Sequence, residues 1–169
     1  MTIEFSAERL QEIEAFQKQF PDGKHKSAII RILHIAQETF GGYLSPPVMD
    51  YVAQLLHIKP IEVYEVATFY SMYNHKPVGK YVLEFCQTGP CYARGIEKIV
   101  AYTEQKLGIK NGETTPDELF SIKCVECLGA CGYAPMMQVG EHYHEHLTEE
   151  KMDAFIENAR LGKVEKGQW

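Results

Sequence analysis

Apolar residues recur at helical spacing through the first 77 positions and alternate in several stretches after them. Leu10, Ile13, Phe16 and Phe20 predict a first helix. Ser6 is its N-cap, Phe5 and Leu10 form a staple across that cap, and Pro21-Asp22-Gly23 stops it. A second helix starts near Ser27, places Ile29, Ile30, Leu33 and Phe40 on one side, and ends at Gly41-Gly42. Ser45-Pro46-Pro47 opens a third, since proline is tolerated in a first helical turn. Its stripe is Val48, Val52, Leu55 and Leu56. A fourth, shorter helix runs from Pro60 to about Thr68. Stripes of this kind predict a helical bundle core. The aromatic run Tyr64, Phe69, Tyr70 and Tyr73 is read as core packing against the second half in preference to a partner surface.

The period changes near Pro77-Val78-Gly79. Lys80 to Phe85 reads as a strand with Tyr81, Leu83 and Phe85 on one face. Cys86 to Cys91 is a turn. An amphipathic helix follows, carrying Ile96, Ile99, Val100 and Leu107 and ended by Gly108. Residues 111 to 116 are loop, and Leu119 to Val125 is a second strand. Met136 to Val139 and His142 to His146 form a hairpin about Gly140-Glu141, a Gly-X pair suited to a type II′ turn. The last helix begins at Thr148, with Glu149 and Glu150 near its positive end, and buries Met152, Phe155, Ile156 and Ala159. The tail from Gly162 to Trp169 is polar apart from Val164 and Trp169 and is expected to be loose. The fold class is α+β, a helical bundle over residues 1–77 and a β-α-β-β-β-α domain over 78–169.

Composition narrows the function. The 169 residues are 45% hydrophobic and 24% charged, an ordinary globular balance. A net charge of −6 without a basic stripe argues against nucleic acid and anionic membrane surfaces as partners. No apolar run approaches the roughly 20 residues of a membrane span, and the N-terminus lacks the features of a signal peptide, so no membrane insertion is expected. Neither G-x-G-x-x-G nor a P-loop occurs, so no nucleotide or substrate site of its own is expected, and no residue is singled out as catalytic.

Five cysteines, all between Cys86 and Cys131, are an odd number for a disulfide framework and point to metal or redox chemistry. Cys86 and Cys91 form C-x4-C; Cys127 and Cys131 form C-x3-C. Each pair follows a predicted strand. A [2Fe–2S] cluster needs two thiolates on each iron, which two separated pairs supply. Gly89, Gly129, Ala130 and Gly132 would let backbone N–H groups approach the sulfurs, and Cys91 sits at the start of a helix. Zinc is the competing reading, because Cys124 and Cys127 form C-x2-C, a common zinc half-site. That choice would strand Cys131. It would also use Cys124, which alternates with Phe120 and Ile122 and is read as a small buried hydrophobe. His142, His144 and His146 would share one face of a strand. A solvent-facing hairpin edge is the favoured reading there over a surface metal site.

The runs EVATFYSMY (65–73), CQTGPC (86–91) and ECLGAC-x-x-AP (126–135) carry more than spacing. From about residue 25 to 150 the chain resembles the small [2Fe–2S] subunits, thioredoxin-like ferredoxins, of NADH:quinone oxidoreductase, respiratory complex I. The resemblance implies an N-terminal helical bundle and a thioredoxin-like domain holding one [2Fe–2S] cluster. The family's four ligands match Cys86, Cys91, Cys127 and Cys131, and Cys124 falls at a non-ligand place. Pro135 matches the proline beside the thioredoxin active-site loop. The implied partner is a larger flavoprotein subunit that carries FMN, the NADH site and a [4Fe–4S] cluster. The implied role is a one-electron carrier beside that flavin, cytoplasmic and peripheral to the membrane as part of the complex. Relatives of this family also serve NAD-linked hydrogenases and formate dehydrogenases. A zinc-stabilised binding module is the third reading.

Overall fold

The computed structural model describes residues 3–165. They divide into two compact units, one ending at Pro77 and the other beginning at Val78. The first holds helices α1 (Ala7–Gln17), α2 (Ile29–Thr39), α3 (Pro46–Leu56) and α4 (Pro60–Phe69), with a 3-10 turn at His25–Ala28 leading into α2. Ser6 caps α1 by accepting from Arg9 N–H. Phe5, the residue before it, meets Phe40 and Tyr51 at centroid distances of 5.1 and 5.4 Å, and Leu10 is 37% exposed. The expected staple partner therefore gives way to rings from elsewhere in the unit. On α2 the buried arc is Ile29, Ile32, Leu33, Ile35, Ala36 and Gln37. Ile30 is partly exposed, at the margin of that arc beside Gln37. Gln37 is buried among these apolar groups with its amide satisfied. Its Nε2 donates to the Met72 carbonyl and its Oε1 accepts from Asn74 N–H. The aromatic run divides. Tyr73 is core, donating its hydroxyl to the Ile30 carbonyl at 2.9 Å, whereas Phe69 is 79% exposed.

The second unit is built on a four-stranded sheet of order β2-β1-β3-β4. Its strands are β1 (Tyr81–Cys86), β2 (Phe120–Val125), β3 (Met137–Val139) and β4 (His142–His144). β1 pairs parallel with β2 and antiparallel with β3, which pairs antiparallel with β4. Helices α5 (Gly89–Ala93) and α6 (Ile96–Leu107) make the crossover, and α7 (Glu149–Arg160) closes the chain. Inward residues of β1 and β2, namely Tyr81, Leu83, Phe85, Phe120 and Ile122, form one core with Ile96, Ile99 and Val100 of α6 and Met152, Phe155, Ile156 and Ala159 of α7. The helices plus four-stranded mixed sheet agree with the α+β class read from the pattern. The tail differs from expectation as far as it is described. Val164 packs against this core and its carbonyl accepts from Tyr81 Oη at 2.9 Å. The remainder of that tail, from residue 166, lies outside the described residues.

The three histidines do not line one strand face. β4 ends at His144, and His146 follows with a left-handed φ of 47°, turning its ring onto Tyr133. His144 packs edge-on to Phe155 with centroids 4.8 Å apart. Burial, then the neighbouring His142, pushes its pKa down. The unfolded chain takes up this proton near the ordinary value of about 6.5, the folded chain only at lower pH. His144 therefore stabilises the fold fully above that value and progressively less as pH falls below it. Half-buried His34 has the same sign. Glu84, raised by burial despite Lys123, has the opposite one and gains on acidification. Urea unfolding at about pH 7.5 and about pH 5.5 is expected to show a smaller acid loss in His144→Gln than in the parent.

Candidate metal centre

Parallel pairing of β1 and β2 delivers the segments that follow them to the same edge of the sheet. Cys86 is the last residue of β1 and pairs in register with Val125, the last of β2. Gln87 N–H carries the pairing one step further by donating to the Val125 carbonyl at 3.0 Å. The first loop turns at once into α5, so the expected turn from Cys86 to Cys91 is partly helical. Pro90 and Cys91 lie in that short helix, with Thr88 at its N-cap. The second loop passes Cys127 and enters a 3-10 turn at Cys131–Tyr133, after which the Ala134–Pro135 peptide is cis. Tyr143 Oη on β4 donates to the Leu128 carbonyl at 2.6 Å and ties this loop to the sheet edge.

None of the five cysteines forms a disulfide. Cys86 and Cys91 are buried, Cys127 and Cys131 exposed. The sulfurs form two pairs. Cys86 and Cys91 act on one another side chain to side chain, and Cys127 and Cys131 stand 4.0 Å apart. Two thiolates on one tetrahedral metal, with bonds of about 2.3 Å, would stand about 3.8 Å apart. The second pair is thus spaced for a shared metal and too wide for a disulfide. The two pairs also feel each other, since Cys86 acts electrostatically on both Cys127 and Cys131. Among the described residues no group of three or more His, Cys, Asp and Glu side chains is set to hold a single metal ion.

Protonation follows the same pairing. Burial pushes Cys91 up to about 11, with Cys86 adding to the shift. Burial acts on Cys86 too, but hydrogen bonds from the Thr88 hydroxyl and from the Leu128 and Thr88 N–H groups bring that thiol below its ordinary range. Cys127 is lowered, first by the Gly129 N–H, which donates to its Sγ at 3.4 Å, and then by Thr88. Cys131 is raised by Cys127 beside it. In each pair one sulfur ionises readily and the other resists, as two adjacent anions must without a cation. A metal centre supplies that cation and releases the second proton. The donor set therefore fits a thiolate-bound metal group.

Of the small residues expected to make room for backbone donors, Gly129 alone has a visible need, with φ of 81° and its N–H on sulfur. A Cβ at Gly89 or Gly132 would meet nothing within 4 Å. Cys124 is half-buried, its backbone N–H donating to Asn111 Oδ1, and burial raises its thiol. It faces the core side of β2, though less deeply than its alternation with Phe120 and Ile122 suggested, because it sits near the strand's open end. Cysteine spacing does not point to Thr88, whose Oγ1 lies 3.3 Å from Cys86 Sγ. A hydroxyl two positions after a ligand-type cysteine, at the residue opening a helix, is the signal that could have found it.

Residues 13–160 match the model of the thioredoxin-like [2Fe-2S] ferredoxin family. The chain belongs to that family. This ferredoxin-family chain is 44% identical over 156 residues to the subunit designated E of the NADH-quinone oxidoreductase of Rickettsia bellii, covering 92% of this chain and 93% of that one. It is 42% identical to the namesake in Rickettsia prowazekii over 98% of this chain and 96% of that one. To the one designated E 2 in Rhizobium meliloti it is 44% identical, over 90% and 89%. The fold also resembles part of an NAD+-reducing [NiFe]-hydrogenase in its H2-reduced state, with a TM-score of 0.70 at 20% identity. That likeness covers 84% of the ferredoxin-family chain and 23% of the hydrogenase chain. Among the described residues no helix is long and apolar enough to cross a membrane.

Proposed function

We propose that this chain is the electron-transfer subunit of the NADH-oxidising module of an NADH:quinone oxidoreductase, with one [2Fe–2S] cluster held by Cys86, Cys91, Cys127 and Cys131. The observation that carries this reading is the arrangement of four thiols as two facing pairs at the open ends of parallel strands, in a chain 42–45% identical to named NADH-quinone oxidoreductase subunits. Such a cluster supplies one-electron chemistry. The protein's part is to hold and shield it. β1 and α5 place Cys86 and Cys91 in the core, where they exclude water. The loop after β2 leaves Cys127 and Cys131 at the surface, so one side of the centre is open to electron exchange. The expected partner is a larger flavoprotein subunit with FMN, an NADH site and a [4Fe–4S] cluster, in a complex peripheral to the membrane on its cytoplasmic side. The division of residues is a helical bundle over 1–77 and the thioredoxin-like domain over 78–169.

The deciding experiment is an EPR spectrum of the anaerobically purified, dithionite-reduced protein with iron and acid-labile sulfide counted, alongside capture of the flavoprotein from the native complex. Colourless protein without labile sulfide would overturn the reading. Retention of a different flavoenzyme, such as an NAD-linked hydrogenase, would move the same centre to that assembly, the alternative that the shared fold favours. Cys124→Ala is expected to keep iron and sulfide unchanged and to cost about 1 kcal/mol for the lost half-buried group. Loss of the chromophore in this variant would refute the ligand set.

A further inference from the structure

We infer that the Thr88 hydroxyl raises the reduction potential of the centre by donating a hydrogen bond to the Cys86 sulfur. The inference rests on the four-thiolate reading above. Thr88 opens α5 as its N-cap, with extended backbone at φ −115° and ψ 171°. A threonine at this place ordinarily turns its oxygen onto an N–H of the helix's first turn. This one makes no such bond. Its Oγ1 lies 3.3 Å from Cys86 Sγ instead. Between a thiol and a hydroxyl either atom could donate. Once Cys86 is a thiolate it carries no proton, and Thr88 must be the donor.

The position is held firmly. A β-branched side chain has few χ1 choices, and the Thr88 carbonyl is itself anchored by accepting from Tyr92 N–H at 2.9 Å. With all four cysteines as thiolates, the other donors to Cys86 and Cys127 are backbone amides of Leu128, Thr88 and Gly129, which no side-chain substitution removes. The hydroxyl is the part of the set that can be deleted cleanly. Reduction adds one electron and no bond is made or broken. An O–H dipole aimed at sulfur favours the more negative state, so deleting it should lower the potential. Only the part of this hydrogen bond's strength that differs between the two oxidation states counts. The equilibrium constant for reduction should therefore fall about threefold to tenfold, or about 30–60 mV for a one-electron couple.

The test is a redox titration of the full chain, followed by EPR, on the parent, Thr88→Val, Thr88→Ala and Thr88→Ser, with iron and sulfide measured in each. Val and Ala should lower the potential by that amount at unchanged iron content and unchanged circular dichroism, and Ser should restore it. A purely structural role for Thr88 would move content or stability and leave the potential alone. Equal potentials in all four proteins would overturn the inference, as would a Ser variant that falls as far as Val. Loss of iron from both Val and Ala with retention in Ser would also overturn it, because the hydroxyl would then serve assembly and not potential. A parent protein without iron and sulfide would instead sink the four-thiolate reading.

Discussion

Cys91→Ala is expected to yield a protein without visible absorbance, iron or labile sulfide, and with a second unit that unfolds far more easily than the parent's. Two effects could lower its stability, and their sizes separate them. Cys91 is 2% exposed and belongs to the core that includes Cys86, Ile96 and Ile99. Removing its sulfur there costs about 1 kcal/mol in lost burial. Losing a metal centre that clamps two loops removes folding free energy on the order of several kcal/mol, because ligation occurs in the folded state only. Denaturant unfolding of the holo parent, the parent stripped of the centre, and the variant measures both. The apo forms should agree to within about 1 kcal/mol, and the large gap should appear between holo parent and variant. Cys127→Ala provides the complementary case, since its thiol is exposed and its burial term is small. A Cys91→Ala protein that keeps its iron and sulfide would show that the buried pair is not part of the centre.

Much of this architecture is legible in local pattern. The helix α7 buries the four residues that its spacing predicts, and Thr148 caps it by accepting from Lys151 N–H. Tyr81, Leu83 and Phe85 share one buried face as a strand's period of two requires, although Glu84 and Cys86 on the other face are buried as well. The cysteine spacings mark two pairs, and the structure brings those pairs together. What escapes the sequence depends on contacts between residues far apart in the chain. The strand order β2-β1-β3-β4 is set by packing and is not written in any one segment. Phe5 could not announce Phe40 and Tyr51 as its neighbours, nor Ile30 its place at the margin of the buried arc. His146 reads as strand by alternation, but β4 stops two residues earlier and the chain turns there. Phe69 and Tyr70 read as core by their size. They meet edge to face at 5.0 Å at the surface, with Tyr73 alone of the three carried into the core. Cysteine spacing passes over Thr88 for a related reason, as its contact is fixed by where Cys86 Sγ falls in space.

Gly79→Ala is expected to destabilise the second unit by about 3 kcal/mol, at the upper end of overpacking costs. The sequence marks this glycine as a boundary residue; the structure shows why nothing larger fits. A Cβ there would sit 2.7 Å from the Phe120 carbonyl carbon, 2.8 Å from the Phe120 nitrogen and 3.0 Å from the Leu119 carbonyl carbon. All three neighbours are backbone, so no side chain can swing aside. The segment is also pinned. Gly79 N–H donates to Ser121 Oγ at 2.7 Å, Lys80 N–H to the Glu118 carbonyl at 2.9 Å, and Tyr81 N–H to the Leu119 carbonyl at 2.8 Å. Relief of the clash must therefore push β1 from β2 at their first paired residues and break part of this set. Gly89→Ala is the internal control, since its Cβ would meet no atom within 4 Å and its φ is outside the left-handed region. That change should be neutral or stabilise by up to about 1 kcal/mol through the better helix propensity of alanine. For a unit of this size, about 3 kcal/mol corresponds to a fall in Tm of about 15 °C, read by calorimetry on the holo protein. The clash lies at the end of β1 opposite Cys86, so the folded fraction of Gly79→Ala should keep the parent's iron content and EPR spectrum. If the two glycine variants unfolded at the same temperature, the close approach of Gly79 to β2 would not be what constrains that position.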